Sequence, residues 1–316
     1  MQNKLTKLLN IKYPIIQGAM AWISESTLVS SLCNAGATGV IATGGRDISF
    51  VRDEIRRTKE LTDKPFGVNI MLMADNKDDI IKLCCEEKVS FVTLGAGNPV
   101  PYFEILKENN IKIIPVVPNL KLAKRVEQKG ADAIILEGME AGGHIGNQTT
   151  MALLENVIPN INIPVVIAGG IVDGRGLASA LLMGASGVQM GSRFLLSSSC
   201  LVHQNSKDMI INATDTDSVV TGYSRNHGVR GLKNDFTDKF LELEISGAKN
   251  EELFKLATGT NRKAAVDGDT KDGLVQVGQS LVPLNKIQTT KEIIDEIINE
   301  AIEKLDNASK LSSYLK

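Results

Sequence analysis

Short apolar runs recur along the first two-thirds of the chain. They are PIIQGAM from Pro14, GVIATGG from Gly39, FGVNIML from Phe66, FVTLGAG from Phe91, KIIPVVP from Lys112, AIILEG from Ala133, PVVIAGG from Pro164 and GVQMGSRF from Gly187. Their starts lie 25, 27, 25, 21, 21, 31 and 23 residues apart, with helix-patterned stretches such as STLVSSLCNAG, ISFVRDEIRRTKEL and LKLAKRVEQKG between them. Strand–helix alternation at this pitch builds parallel βαβ units, and runs apolar at successive positions fit strands covered on both faces. Eight units within ~200 residues predict an α/β fold, a (β/α)8 TIM barrel. A doubly wound open sheet would show the same alternation. The strand ends favour the barrel: Gln17, Thr43, Asn69, Glu137, Gly169 and Gln189 all fall near the C-terminal ends of their runs, which a barrel gathers at one mouth.

Beyond residue 200 the rhythm breaks. The helix-like segment VHQNSKDMIINAT closes the eighth unit, and glycine-rich polar pieces then surround the charged stretch DFTDKFLELE. This region is too long for a plain loop and reads as a small C-terminal lid or cap. In TTKEIIDEIINEAIEKLDNAS, Ile293, Ile294, Ile297, Ile298, Ala301, Ile302 and Leu305 form one apolar helical face that should pack on the barrel. The expected organisation is therefore a barrel over 1–215, a lid over 216–288 and a C-terminal helix over 289–316.

Composition narrows the function more than the fold. The 316 residues are 43% hydrophobic and 23% charged with a net charge of −2, so bulk charge points to neither nucleic acid nor a membrane surface. No apolar run approaches the ~20 residues that cross a bilayer. The N-terminal stretch MQNKLTKLLNIKYPIIQG breaks its apolar residues with Lys, Thr and Asn, unlike a signal peptide, and the expected location is the cytoplasm. Cys33, Cys84, Cys85 and Cys200 include no C-x-x-C pair, and His144, His203 and His227 lie far apart in sequence, so no metal site is expected.

The densest candidate chemistry is EGMEAGGHIG, Glu137 to Gly146, where a buried run ends in a carboxylate and enters a glycine-rich turn around His144. A histidine on such a turn suits acid, base or hydrogen-bond-donor work near neutral pH; a surface histidine in a plain turn would leave the same pattern. In the seventh and eighth places, AGGIVDGRG and QMGSRF combine glycines with a helix start. Free N–H groups there can cradle an anion, and these are the usual phosphate loops of barrels, although tight corner turns would also use these glycines. Neither G-x-G-x-x-G nor G-x-x-x-x-G-K-[ST] occurs, which disfavours a Rossmann dinucleotide and a P-loop nucleotide. A mononucleotide fits better, and flavin mononucleotide (FMN) is the obvious barrel cofactor. The amides of Asn69 and Gln189 could meet the edge of a flat heterocycle or cap strand ends.

With these residues in view, the sequence resembles the FMN-dependent enoyl-acyl-carrier-protein reductase II family (FabK type), within the nitronate monooxygenase (2-nitropropane dioxygenase) superfamily. The resemblance rests on YPIIQGAMAWIS, LTDKPFGVNIML, GAGNP, IIPVVP, EGMEAGGHIG, TTM, IPVVIAGGIVDGRG, QMGSRF, HGVRGLKN, DGD and GQS, spread from Tyr13 to Ser280. It implies an FMN barrel with Gly18, Ala19, Met20 and Ala21 along the isoalloxazine and Asn69 and Glu137 in contact with the cofactor. Gly143, Gly169, Gly170, Gln189, Gly191 and Ser192 would surround its ribityl-phosphate end, Ala168 and Met190 would also bind the cofactor, and His144 would sit on the substrate side as the catalytic residue. The family pattern has a second glycine where Ala19 stands, a glycine–asparagine turn where ATGGRD stands, and a threonine where Leu94 stands.

The resemblance further implies NADH or NADPH as co-substrate, enoyl-acyl carrier protein as partner, a homodimer and stimulation by a monovalent cation. The reductase would deliver hydride to the β-carbon of a trans-2-enoyl thioester, with His144 or a water it holds supplying a proton or stabilising the thioester oxygen, and with the lid covering the acyl chain. A nitronate monooxygenase would use the same barrel, FMN and histidine, with oxygen reoxidising the flavin. A non-catalytic flavin-binding barrel is the reading from outside enzymology. HGVRGLKN and LTDKPFGVNIML favour the reductase.

Overall fold

The computed structural model describes residues 3–315. Eight parallel strands close into a barrel: β1 (Ile15–Gln17), β2 (Thr38–Ala42), β3 (Gly67–Met71), β4 (Phe91–Gly95), β5 (Lys112–Val117), β6 (Ile134–Glu137), β8 (Val165–Ala168) and β9 (Gly187–Met190). The ring shuts where β1 pairs β2 on one side, Ile16 opposite Thr38, and β9 on the other, Ile15 opposite Val188. Each of the eight apolar runs is one of these strands, and the open-sheet alternative falls with the closure.

The two faces of each strand explain why its apolar residues are consecutive. Ile16, Val40, Phe91, Ile114, Ile135 and Val166 turn inward as one buried cluster, which Leu5 and Leu9 of the helix Lys4–Leu9 join at the N-terminal end. Their neighbours Ile15, Ile41, Val92, Ile113, Ile134, Ile167 and Val188 turn outward into a second cluster shared with the surrounding helices. Several of those helices begin at side-chain caps: Asp47 accepts from the Phe50 N–H, Asn119 from Leu122 and Asp173 from Gly176. Such caps fix where each βα loop ends, and therefore the shape of the mouth.

After β9 the chain builds a second, antiparallel sheet from β10 (Ser218–Thr221), β11 (Val229–Leu232) and the two-residue strand β7 (Gly143–His144), in the order β10-β11-β7. Three helices follow, Asp235–Ile245, Asn250–Ala257 and Thr260–Ala265. The first carries a capping box between Asn234 and Thr237, and DFTDKFLELE lies within it. The sequence reading of Gly143–His144 as part of a free turn needs correction. This segment pairs with β11, Gly143 opposite Arg230 and His144 opposite Val229, so the turn after β6 is clamped by a strand far along the chain.

The C-terminal helix Thr290–Leu311 buries Ile293, Ile294, Ile297 and Ala301. It packs on the barrel's outer helices Gly174–Leu182 and Ser26–Asn34. Ile302, grouped with that apolar face from the sequence, is 52% exposed and outside the contact. The helices approach closest at Gly174, where an added Cβ would stand 2.4 Å from the Ile297 carbonyl oxygen and 2.5 Å from the Ala301 nitrogen. Backbone cannot yield as a side chain can. Gly174→Ala should therefore cost about 1–3 kcal/mol in urea unfolding, whereas Ile302→Ala should stay within about 0.5 kcal/mol. Equal midpoints for the two variants would contradict this packing account.

Candidate active site

The C-terminal ends of the barrel strands open onto one cavity of about 300 Å³. Gly18, Ala19, Met20 and Ala21 line it from the loop after β1, Asn69 from β3 and Glu137 from β6. Gly143 and His144 face it from β7, Ala168, Gly169 and Gly170 from the end of β8, and Gln189, Met190, Gly191 and Ser192 from the end of β9. Every residue singled out from the sequence as a cofactor or catalytic candidate thus borders one space. Gln17 and Thr43, which also end strands, do not. Gln17 is fully buried with its amide nitrogen 2.7 Å from the Ser24 hydroxyl, and the Thr43 hydroxyl donates to the Asn69 carbonyl at 2.8 Å.

Besides His144, three polar side chains in the cavity, Glu137, Gln189 and Gln276, have no hydrogen-bond or ion-pair partner among the described residues. Desolvation raises the Glu137 pKa to about 7, far above an ordinary carboxylate. Asn69 gives its amide hydrogens to Thr93 Oγ1 at 3.0 Å, which leaves its oxygen available. At the other end, Gly169 and Gly170 take positive φ values of 99° and 72°, and the N–H groups of Gly170 and Gly191 donate to no described backbone group. The glycines matter here for backbone conformation: the left-handed region is open to them, and free N–H groups in such a turn suit an anion. The cavity can therefore hold a ligand with a flat polar ring at one end and an anionic group at the other.

His144 is open to solvent on one side, yet its pKa lies below the usual imidazole value, first through desolvation and second through the neighbouring His227. A neutral imidazole offers one donor and one acceptor. The loop that carries it is braced throughout. Both Glu140 carboxylate oxygens accept from the Thr150 N–H, at 3.0 and 2.9 Å, and Thr150 Oγ1 bonds Glu140 Oε2 and the Gly169 carbonyl. Arg230 donates to the Met139 carbonyl at 3.1 Å and to the Ser218 hydroxyl at 2.8 Å. From its place in the lid segment HGVRGLKN, Arg230 reads as a lid charge that faces either solvent or a nucleotide phosphate; the structure corrects this, because the residue is buried. His203 caps the helix Gln204–Ile211.

The C-terminal third supplies a wall that the sequence reading missed. Asn261, Gln276, Gly278 and Ser280 line the cavity. The Gly278 N–H donates to Ser192 Oγ at 2.8 Å, the Gln279 N–H to the Glu140 carbonyl at 2.9 Å, and the Ser280 hydroxyl to the Gly170 carbonyl at 2.7 Å. The strap 276–280 thus fastens to the loops after β6, β8 and β9 together. GQS was visible as a matching segment, but no local pattern says that it folds back across a barrel mouth. Beside the β1 loop, Trp22 sits at φ 69° with Arg46 stacked 4.5 Å and Arg262 5.6 Å from its ring, and Arg46 also pairs with Glu25. These contacts join the helix Thr260–Ala265 to the same rim.

Comparison with known proteins gives a consistent picture. The family model described as nitronate monooxygenase matches residues 2–300. FabK from Thermotoga maritima superimposes with a TM-score of 0.94 at 44% identity, covering 99% of each chain. A curated relative from Rhodococcus jostii, named (3aS,4S,5R,7aS)-5-hydroxy-7a-methyl-1-oxo-octahydro-1H-indene-4-carboxyl-CoA dehydrogenase, is 32% identical over 97% of each chain. A probable nitronate monooxygenase from Staphylococcus saprophyticus is 32% identical over 96% of this chain and 98% of its own. A Streptomyces ansochromogenes nitroalkane oxidase, 24% identical with a TM-score of 0.84, shares the fold.

The Glu137 environment has a measurable consequence in the ligand-free protein. Its folded pKa is raised from 4.5 to about 7 by desolvation. Its contribution to stability is therefore complete below pH 4.5 and is lost as pH rises through about 7. Thermal melts of ligand-free protein across that window should show Glu137→Gln gaining on wild type as pH rises. Parallel melting curves at every pH would mean the carboxylate is well solvated.

Proposed function

The chain belongs to the nitronate monooxygenase family, and we infer that it is an FMN-dependent enoyl-acyl-carrier-protein reductase, using NADH or NADPH in the last step of the fatty-acid elongation cycle. The observation that carries this reading is the 44% identity to FabK over 99% of both chains, with a TM-score of 0.94. The Rhodococcus relative's name adds a coenzyme-A ester as substrate within this kind of barrel. The staphylococcal relatives, named probable nitronate monooxygenases, support the oxygen-using alternative at 32% identity. The higher identity weighs toward the reductase.

FMN suits the cavity. Glu137 and Gln189 are polar side chains lacking protein partners, and a flavin ring brings donors and acceptors along its edges. Gly18, Ala19, Met20 and Ala21 would hold one side of the ring, with Asn69, Glu137 and Gln189 at its polar edges. Ala168, Gly169, Gly170, Met190, Gly191 and Ser192 would take the ribityl phosphate, and Gly143 the flank beside His144. The chemistry a bound FMN supplies is hydride transfer from a reduced nicotinamide to the β-carbon of an enoyl thioester. The chain's own work is orientation, electrostatics and exclusion of water.

His144, neutral near pH 7, would hold or deliver the proton required at the α-carbon, directly or through a water. Its pairing with Val229 fixes its backbone while its ring stays at the mouth. The outer sheet and the strap would narrow access to solvent once an acyl chain enters. An acyl carrier protein as substrate carrier, a second copy of the chain, and a monovalent cation as activator belong to the same reading.

Anaerobic oxidation of NADH or NADPH by the purified holoprotein, with and without a short trans-2-enoyl thioester, tests the inference. Thioester-dependent oxidation yielding the saturated thioester is the expected result. His144→Ala should lower that rate by roughly 10²–10⁴-fold while retaining FMN. Consumption of an alkyl nitronate in air, with reduced nicotinamide untouched, would favour the monooxygenase instead.

A further inference from the structure

The functional reading leaves one pocket side chain without a task. Gln276 lines the cavity, and its amide makes no hydrogen bond to any described residue. It lies beside β7: a Cβ built on Gly143 would stand 3.2 Å from Gln276 Oε1. The backbone on both sides of it is fixed. The Val275 carbonyl accepts from the Leu232 N–H at 3.0 Å, and the Gly278 N–H donates to Ser192 Oγ at 2.8 Å. The other amides of the cavity differ. Asn69 gives its hydrogens to Thr93, Asn261 donates to the Ala21 carbonyl at 3.4 Å, and Gln189 lies under Gly18 on the β1–β9 side. At the His144 end, Gln276 is the side-chain amide free to meet a substrate.

Gln276 is partly exposed, so water can serve its amide until a bound ligand excludes that water and must itself supply the partner. The reaction creates a matching demand. As hydride adds to the β-carbon of an enoyl thioester, the C=C electron pair moves through the α-carbon and negative charge develops on the thioester carbonyl oxygen. A proton then joins the α-carbon, the carbonyl re-forms, and the nicotinamide is the species oxidised. A donor already aimed at that oxygen stabilises the charge as it appears.

Resting on the reductase reading, we propose that Gln276 is a second catalytic residue, whose amide N–H donates to the thioester carbonyl oxygen while His144 serves the α-carbon. The two functions then come from different parts of the chain: His144 from the β6–β8 connection, Gln276 from the strap. They meet because β7 and the strap both pack beside β11.

The test uses the holoenzyme with NADH or NADPH and crotonyl-coenzyme A, comparing wild type with Gln276→Met and Gln276→Glu. Methionine keeps the length and removes the donor. Its kcat for the thioester should fall by ~10²-fold, with FMN content and the anaerobic rate of flavin bleaching by reduced nicotinamide close to wild type. Glutamate should be poor when ionised and recover activity as pH falls and its carboxyl gains an O–H donor, a signature that a merely structural role would not produce. Wild-type kcat in Gln276→Met, or an equal loss in flavin bleaching, would overturn the proposal while leaving the reductase reading intact. No thioester-dependent oxidation by wild type would overturn both.

Discussion

Closure of the parallel barrel is the constraint on which the rest of the structure depends. A closed sheet has no edge strands, so its unpaired backbone groups collect at the two rims. Parallel strands make those rims unlike. The N-terminal rim is plugged by Leu5 and Leu9, and the C-terminal rim carries every strand-end side chain and every βα loop. Placing Glu137, Gln189 and the glycines of β8 and β9 around one cavity therefore requires no special folding event; it follows from β1 pairing with both β2 and β9.

A rim of loops would be a loose site, and here it is tightened from outside the barrel. β7 borrows β11 as its partner, and Arg230, from that same β11, braces the Met139 carbonyl. The strap bonds the loops after β6, β8 and β9 in succession. Each bond contributes only about 1 kcal/mol net; their shared effect is to hold His144 and Gln276 at one end of the cavity and the unpaired N–H groups at the other. The residues of the candidate site thus come from both ends of the chain, with the barrel as the rigid reference.

Most of this was legible in the sequence where the signal is local. Eight apolar runs at regular spacing gave eight strands because burial on both faces leaves an uninterrupted pattern. The residues at the ends of those strands border the cavity because the barrel orders them. Non-local features were hidden. Gly143–His144 reads as a turn since two residues carry no strand pattern, and only β11 makes them a strand. Gln17 looked equivalent to Gln189, but it is buried against Ser24 rather than turned to the cavity. Arg230 looked like a lid charge because its carbonyl acceptor lies 91 residues away. Gln276 and Ser280 sit in a polar stretch whose path across the mouth no periodicity encodes. Ile302 shows the limit of a face drawn by spacing alone, since a partner covers only part of it.

The reductase reading stands on this mouth being able to bind FMN. Titration of flavin-free protein with FMN, followed by flavin fluorescence and calorimetry, tests it most directly. The account predicts saturation at one FMN per chain, with weaker binding in Gln189→Leu, which removes an unpartnered cavity amide. No saturable uptake, or uptake indifferent to Gln189, would contradict it.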